Sequence, residues 1–166
     1  MAGVIETDRL TLEPLRVAHA AEMAPVLDDV ALHRYIGGRP ASADQLRERY
    51  RRQAAGRSPD GTEGWLNWVV RDRASGAPVG TVQATVGTDG DRLRAELAWV
   101  VATVHQRRGY AAEAAAGMAD WLRGRGVEHF VAHVHPAHRA SQRVAERLGL
   151  TATGVLVDGE VRWAGD

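Results

Sequence analysis

The sequence predicts a mixed α/β domain, and three observations carry this prediction. Ser-Gly at 75–76 and Asp-Gly at 158–159 each lie between apolar, strand-like runs, which predicts two antiparallel hairpins. Residues 92–134 run strand, helix, strand, which predicts a parallel crossover. We expect one domain over residues 1–166, because a chain of 166 residues suits a single core.

The first third is predicted to contain one strand and two helices. The alternating leucines of RLTLEPL, residues 9–15, predict the strand. Residues 16–33 carry apolar side chains at helical spacing, with Pro25 expected to kink or shorten that helix. The segment 42–56 opens with a serine and a glutamine at capping-box spacing and closes on a glycine, which predicts a surface helix.

The remaining elements alternate between strands and helices. WLNWVVRD and ASGAPVGTVQATV predict the first hairpin, and RLRAELAWVV, residues 92–101, predicts the next strand. A helix over 109–123, a strand over 128–134 and a helix over 139–148 follow. The terminal hairpin completes this order.

Composition excludes several functions. Lys+Arg and Asp+Glu balance at 21 each, so no basic field favours nucleic acid or an anionic membrane. We interpret the arginine-rich RERYRRQAAGR as a solvated helix face. The absence of cysteine excludes disulfides, thiolate metal sites and a cysteine nucleophile. Because no signal peptide and no run of membrane-spanning length occurs, we expect a cytoplasmic protein without a membrane partner.

An anion site is predicted where the strand over 92–101 gives way to the next helix, at QRRGYA, residues 106–111. The N–H groups at a helix start have no partner inside the helix and lie at the positive end of its dipole. Gly109 lets a phosphate approach the backbone, and Arg107 and Arg108 add charge. On spacing alone, a surface turn with solvated arginines remains the alternative.

The stretch AELAWVVATVHQRRGYAAEAA resembles the acyl-CoA-binding core of the GNAT N-acetyltransferase superfamily, and QRRGYA matches its (Arg/Gln)-x-x-Gly-x-(Gly/Ala) signature. TDRLTLEPL and HRASQRVAERLGL resemble the branch that contains the ribosomal-protein N-terminal acetyltransferases, so the likeness covers nearly the whole chain. It implies a central twisted, mostly antiparallel sheet with one parallel splayed pair, flanked by about four helices. It also implies acetyl-CoA as co-substrate.

The resemblance places the cofactor pyrophosphate on the signature turn and the pantetheine arm beside the end of the preceding strand. In the last core helix, His138 replaces the family's usual Asn, and Ser141 is expected to hydrogen-bond the cofactor sulfur. The predicted cofactor-binding residues are Val100, Val101, Gln106, Arg107, Arg108, Gly109, Tyr110, Ala111, His138 and Ser141.

Glu96 and Ser141 are the predicted catalytic residues. Transfer to an amine requires a base, and Glu96 is the candidate because its chain neighbours are apolar and similar proteins use a glutamate here. The alternative is a solvated glutamate paired with Arg94. Ala145 stands where a tyrosine often follows, so the usual phenol acid is absent. Without cysteine, direct transfer in a ternary complex is the expected mechanism.

The acceptor is predicted to be a primary amine, on a protein N-terminus or a small molecule. Its pocket is expected from residues 16–60 and the terminal hairpin, with Trp65, Trp68 and Trp163 as lining or as core. A non-catalytic acyl-CoA sensor is the alternative function, and a homodimer is compatible with such a fold.

Three histidines near the end of the strand over 128–134 suggest a further site. His133, His135 and His138 could together bind zinc. No carboxylate that would support such a site is evident nearby. We therefore expect packed or solvated histidines and no metal.

Overall fold

Eight strands form one continuous sheet in the computed structural model, which describes all 166 residues. The strands are β1 (Ile5–Glu6), β2 (Leu10–Pro14), β3 (Gly64–Asp72), β4 (Pro78–Asp89), β5 (Arg92–Val101), β6 (Val127–Val134), β7 (Thr151–Val157) and β8 (Glu160–Gly165). The helices are α1 (His19–Leu27), α2 (His33–Ile36), α3 (Ala43–Gln53), α4 (Tyr110–Arg123) and α5 (Arg139–Arg147).

The strand order across the sheet is β1-β2-β3-β4-β5-β6-β8-β7. Only β5 and β6 pair in parallel; the other neighbours are antiparallel. The mixed fold with a mostly antiparallel sheet and one parallel pair is therefore confirmed.

The single helix predicted over 16–33 is wrong in its extent. α1 ends two residues after Pro25, which lacks an N–H to donate and whose ring crowds the preceding turn. Asp29 then caps a separate 3₁₀ turn by accepting a hydrogen bond from the N–H of Ala31 at 2.8 Å. Because α2 follows this turn as a separate helix, the structure has five helices rather than about four.

Helices cover both faces of the sheet. On one face α4 packs closely through the fully buried Ala114, Ala115 and Met118, which belong to the main core. On the other face α1 and α3 enclose a smaller cluster that includes Met23 and Leu46. The second pair of helices covers the β1–β4 side of the sheet, so part of β5 stays open on that face.

Arg71 of β3 ties α1 to the sheet. Its Nε donates to Glu13 Oε2 at 2.7 Å, and its terminal nitrogens pair with Glu22 of α1. The hydrogen bond from Arg71 holds the pKa of Glu13 below its usual value, despite partial burial that would raise it. This contact fixes the helix that forms one wall of the cavity described below.

β5 and β6 separate halfway along their length. Their last pair of Cα partners is Glu96 with Val131. Beyond this pair β5 continues to Val101, still hydrogen-bonded to β4, while β6 runs on to Val134. The gap leaves main-chain groups of β5 open to an extended ligand, as the resemblance implied.

Candidate active site

The QRRGYA turn enters α4 with free main-chain N–H groups. Gly109 caps the helix with φ at 78°, and Arg107 has φ at 62°. Glu113 is the first helical residue whose N–H reaches a main-chain carbonyl, that of Gly109 at 3.0 Å. The N–H groups of residues 110–112 have no such acceptor. Together with the exposed Arg107 and Arg108, they form a concave site suited to an anion.

Arg9 braces this turn from just before β2. Its Nη1 donates to the Arg108 carbonyl at 2.8 Å, and its Nε donates to Glu113 Oε2 at 2.7 Å. Burial tends to raise the pKa of Glu113, but hydrogen bonds from Thr7 and Arg9 outweigh burial and hold the pKa below its usual value. The Tyr110 ring is buried under the Arg9 guanidinium, so only the Tyr110 main chain is open to a cofactor.

Val100 and Val101 lie at the open end of β5. Gln106, a predicted cofactor-binding residue, directs its side chain to this strand. Its Nε2 donates a hydrogen bond to the Val101 carbonyl at 3.0 Å. Gly80 of β4 allows the close approach of the two strands here. A Cβ at position 80 would lie 2.0 Å from the Val100 carbonyl oxygen, so any side chain there must displace it.

Glu96 and His133 face each other where β5 and β6 separate. His133 Nδ1 lies 3.0 Å from Glu96 Oε1, and the Glu96 side chain is 46% exposed. The apolar setting expected for Glu96 is wrong, because Ala95 and Leu97 point into the main core on the opposite face. The expected alternative partner, Arg94, makes no contact with Glu96 within salt-bridge distance; the partner is His133.

Ser141 lies in the first turn of α5 beside β5. Its hydroxyl oxygen accepts a hydrogen bond from Trp99 Nε1 at 3.2 Å. Because the oxygen is the acceptor, the hydroxyl proton remains available for a second partner. Trp99 precedes Val100, so this bond holds Ser141 next to the open strand end.

Tyr35 of α2 reaches across to the start of α5. Its ring stacks on His138, with centroids 4.3 Å apart, and lies 5.4 Å from His135. Burial and the neighbouring His135 lower the pKa of His138, which favours its neutral form. No three His, Asp or Glu side chains are grouped so as to hold a metal ion. His133 instead faces Glu96, whereas His135 and His138 lie against Tyr35.

Three rows of side chains cross the face of the sheet that carries Glu96. In register, the rows are Val69-Thr81-Val100, Asn67-Gln83-Ala98 and Trp65-Thr85-Glu96. Successive rows lie two residues apart, roughly 7 Å along the strands. Glu96 is therefore on the same surface as Val100, two rows away.

A cavity of about 150 Å³ lies over the first two rows, enclosed by α1, α2 and α3. Its lining is mostly apolar, and Thr81 and Val100 contribute to its floor. The terminal hairpin contributes no lining residue, because β7 and β8 lie beyond β6. Of the three tryptophans only Trp68 lines the cavity, and its indole packs against Trp121 in the main core.

The family model of the acetyltransferase (GNAT) domain matches residues 9–151, a span that includes the signature turn, Glu96 and Ser141. The chain belongs to the GNAT acetyltransferase family. It is therefore an acetyl-CoA-dependent acyltransferase, and acetyl-CoA is its co-substrate. The free N–H groups of the turn and the gap beside β5 fit the diphosphate and the extended arm of that molecule.

Solved structures of GNAT proteins superpose over nearly the full chain. An acetyltransferase from Agrobacterium tumefaciens is 25% identical, with a TM-score of 0.74 over 100% of this chain and 95% of its own. RimL, a ribosomal L7/L12 alpha-N-protein acetyltransferase in complex with coenzyme A, is 16% identical. Its TM-score is 0.80 over 98% of this chain and 97% of its own. The Microcin C7 self-immunity acetyltransferase MccE, in complex with acetyl-CoA and AMP, is 13% identical, with a TM-score of 0.78 over 96% and 93%.

One further comparison and one property of the helices complete these findings. A search of curated protein sequences gave no match. None of the helices has the length and apolar character needed to cross a bilayer.

The structure adds three residues to the candidate site that the sequence did not indicate: Arg9, Gly80 and His133. Arg9 and Gly80 act through contacts with distant parts of the chain, and no local pattern marks either one. The sequence suggests His133 only as a zinc ligand or as a packed or solvated residue. The one local signal is its position on the strand that follows the crossover, because the face that it shares with Glu96 depends on the register of the two strands.

Proposed function

We propose that this chain transfers an acetyl group from acetyl-CoA directly to a primary amine in a ternary complex, with residues 1–166 acting as one domain. The observation that carries the proposal is the 3.0 Å contact between Glu96 and His133, where the parallel strands separate. The same sheet face forms the floor of the cavity. Since the chain has no cysteine, it offers no thiol for an acyl-cysteine route.

The donor is proposed to bind along the signature turn and the open edge of β5. Acetyl-CoA supplies the activated thioester. The N–H groups of residues 110–112 and the guanidinium groups of Arg107 and Arg108 would hold its pyrophosphate. Main-chain groups at Val100 would align the pantetheine arm, and an N–H there would polarise the thioester carbonyl.

Glu96 is proposed as the base that prepares the amine. An alkyl ammonium has a pKa of roughly 10, so at neutral pH it must lose a proton before it can attack. The half-exposed carboxylate is open to the amine or to an intervening water. His133 holds it in place, because its ring nitrogen contacts one of the two carboxylate oxygens.

Ser141 is proposed to donate its hydroxyl proton in a hydrogen bond to the departing sulfur. The Trp99 indole occupies a lone pair of the hydroxyl oxygen and so fixes its orientation. Ala145, one turn later in α5, has no polar side chain, so it contributes no phenol at the position where similar proteins carry one. Ser141 thus provides the polar side chain on this side of the proposed sulfur position.

The test is thiol release from acetyl-CoA with a panel of primary amines. Glu96→Gln should keep coenzyme A binding, measured by calorimetry, and lower kcat on the order of 10²–10⁴-fold. His133→Asn should lower kcat less, because it removes the positioning contact and not the base. Glu128→Gln, an exposed glutamate on β6, is the control and should match the wild type. An unchanged kcat in Glu96→Gln would refute the proposal.

A further inference from the structure

The cavity beneath α1–α3 contains one buried polar group without a partner. Tyr50 of α3 is 3% exposed and lines the cavity, and its hydroxyl makes no hydrogen bond within the protein. Buried hydroxyl groups are normally hydrogen-bonded, because desolvation without a partner destabilises the fold. An orphaned hydroxyl on a cavity wall is explained if a ligand supplies the missing partner.

Burial keeps this hydroxyl in its neutral form. It raises the pKa of Tyr50 to about 12, so the group keeps its proton at physiological pH. The protonated hydroxyl can therefore donate a hydrogen bond to an oxygen or another acceptor on the ligand.

The size of the cavity limits the ligand body. A cavity of about 150 Å³ with an apolar lining has room for one benzene ring. Leu32 and Leu46 belong to that lining and are buried. A ring or a branched aliphatic group fits this space better than a flexible polar chain does.

The charges around the cavity oppose a polycation. No aspartate or glutamate lines it, whereas the lining includes the exposed Arg49 and the partly buried His33. Glu13 and Glu22, which lie on the same side of the sheet, are already paired with Arg71. A polyamine would lose its hydration here without meeting a carboxylate.

The position of the cavity connects it to the reacting groups. Tyr50 packs in one cluster with Val69. Val69, Thr81 and Val100 lie in register on adjacent strands. Val69 and Val100 are separated by two strand spacings. The lateral distance from Val69 to the proposed thioester site at Val100 is therefore roughly 10 Å.

We propose that the cavity is the acceptor site and that it binds a primary amine whose ring-sized apolar body ends in an oxygen that accepts a hydrogen bond from Tyr50. This inference rests on the proposed acetyl transfer and adds the substrate class. The ligand amine lies towards Val100 and Glu96, and its oxygen lies under α3.

Tyramine and phenethylamine form the matched probe pair, because they differ only in the hydroxyl. In steady-state thiol release, the wild type should prefer tyramine in kcat/KM by roughly tenfold, the worth of one buried hydrogen bond. Tyr50→Phe should abolish this preference without lowering the thermal midpoint, because the substitution removes no hydrogen bond within the protein. Tyr35→Phe makes the same chemical change outside the cavity and should keep the preference.

A second variant tests the space itself. Ala41→Leu adds a bulkier side chain to the lining and should raise the KM for tyramine while leaving coenzyme A affinity unchanged. Faster transfer to spermidine, glycinamide or a seryl peptide than to tyramine would overturn the cavity assignment and leave the acetyltransferase proposal intact. An unchanged tyramine preference in Tyr50→Phe would also overturn it.

Calorimetric titration of tyramine in the presence of coenzyme A separates the two proposals. If no amine releases thiol, the proposed function fails. Tyramine binding that weakens roughly tenfold in Tyr50→Phe would then still support the cavity as an aryl-amine site. Absence of tyramine binding would overturn it.

Discussion

Replacing Gly80 with alanine is expected to damage the donor site without touching any group proposed to react. Gly80 faces the end of β5, and an added Cβ would lie 2.0 Å from the Val100 carbonyl oxygen. Real Cβ contacts essentially never fall below 3.0 Å, so strand and carbonyl must move apart by about 1 Å.

That displacement acts where the pantetheine arm is proposed to lie. A shift of about 1 Å in a group that positions a substrate can lower activity by roughly 10²-fold. Overpacking between two strands also costs about 1–3 kcal/mol of stability. We therefore expect Gly80→Ala to fold less stably and to lose roughly 10²-fold in kcat/KM for acetyl-CoA.

Gly87 provides the matched control on the same strand. A Cβ at position 87 meets no atom within 4 Å, so Gly87→Ala should keep the kcat/KM of the wild type. Both variants are assayed by thiol release, after chemical unfolding has shown what fraction of each is folded. Wild-type kcat/KM in folded Gly80→Ala would refute the argument that the Val100 main chain positions the donor.

Three further substitutions test other parts of the structure. Gly109→Ala should cost about 1–2 kcal/mol of unfolding free energy and raise the KM for acetyl-CoA, because φ at 78° is unfavourable with a Cβ. Trp99→Phe should lower kcat by roughly fivefold, because one hydrogen bond that orients Ser141 is lost. Glu13→Gln should cost about 1–3 kcal/mol in urea unfolding at pH 7, because it breaks the bond from Arg71. Since the folded pKa of Glu13 is lowered, its contribution is complete above the ordinary value of 4.5 and disappears as the pH falls through the folded value.

Each of these has a result that would contradict it. Gly124→Ala, at the other end of α4 with φ at −62°, is the control for Gly109→Ala. Equal losses of unfolding free energy in the two variants would refute the argument that the left-handed backbone at Gly109 disfavours a side chain. An unchanged kcat in Trp99→Phe would remove the orienting role of the indole. A destabilisation by Glu13→Gln that persists undiminished in acid would show that charge pairing is not its cause.

The elements with strong local signals could be predicted from the sequence. α4, α5 and both hairpins follow from glycine and turn residues beside periodic apolar runs. The parallel crossover follows from the strand–helix–strand order of 92–134. The proposed anion site rests on a local pattern for the same reason, because it consists of a glycine and two arginines at a helix start.

Features set by distant contacts could not be predicted. β8 lies between β6 and β7, an arrangement that no local pattern specifies. β1 is only two residues long and pairs through β2 alone, so it gives no periodic signal. The pairing of Glu96 with His133 depends on the register of the parallel strands, which the sequence does not state. The unpartnered hydroxyl of Tyr50 likewise exists only once three helices enclose it.

The contacts of Arg9 link the proposed donor site to residues far away in the chain. Arg9 holds a turn about a hundred positions later in the chain by donating hydrogen bonds to the Arg108 carbonyl and to Glu113. An excised peptide comprising just the turn and α4 would carry the motif yet lack its clamp, and should bind coenzyme A feebly. If the amino-terminal strand detaches before the rest of the fold is lost, the turn loses its contacts with Arg9. We therefore expect such molecules to release acetyl-CoA before they unfold completely.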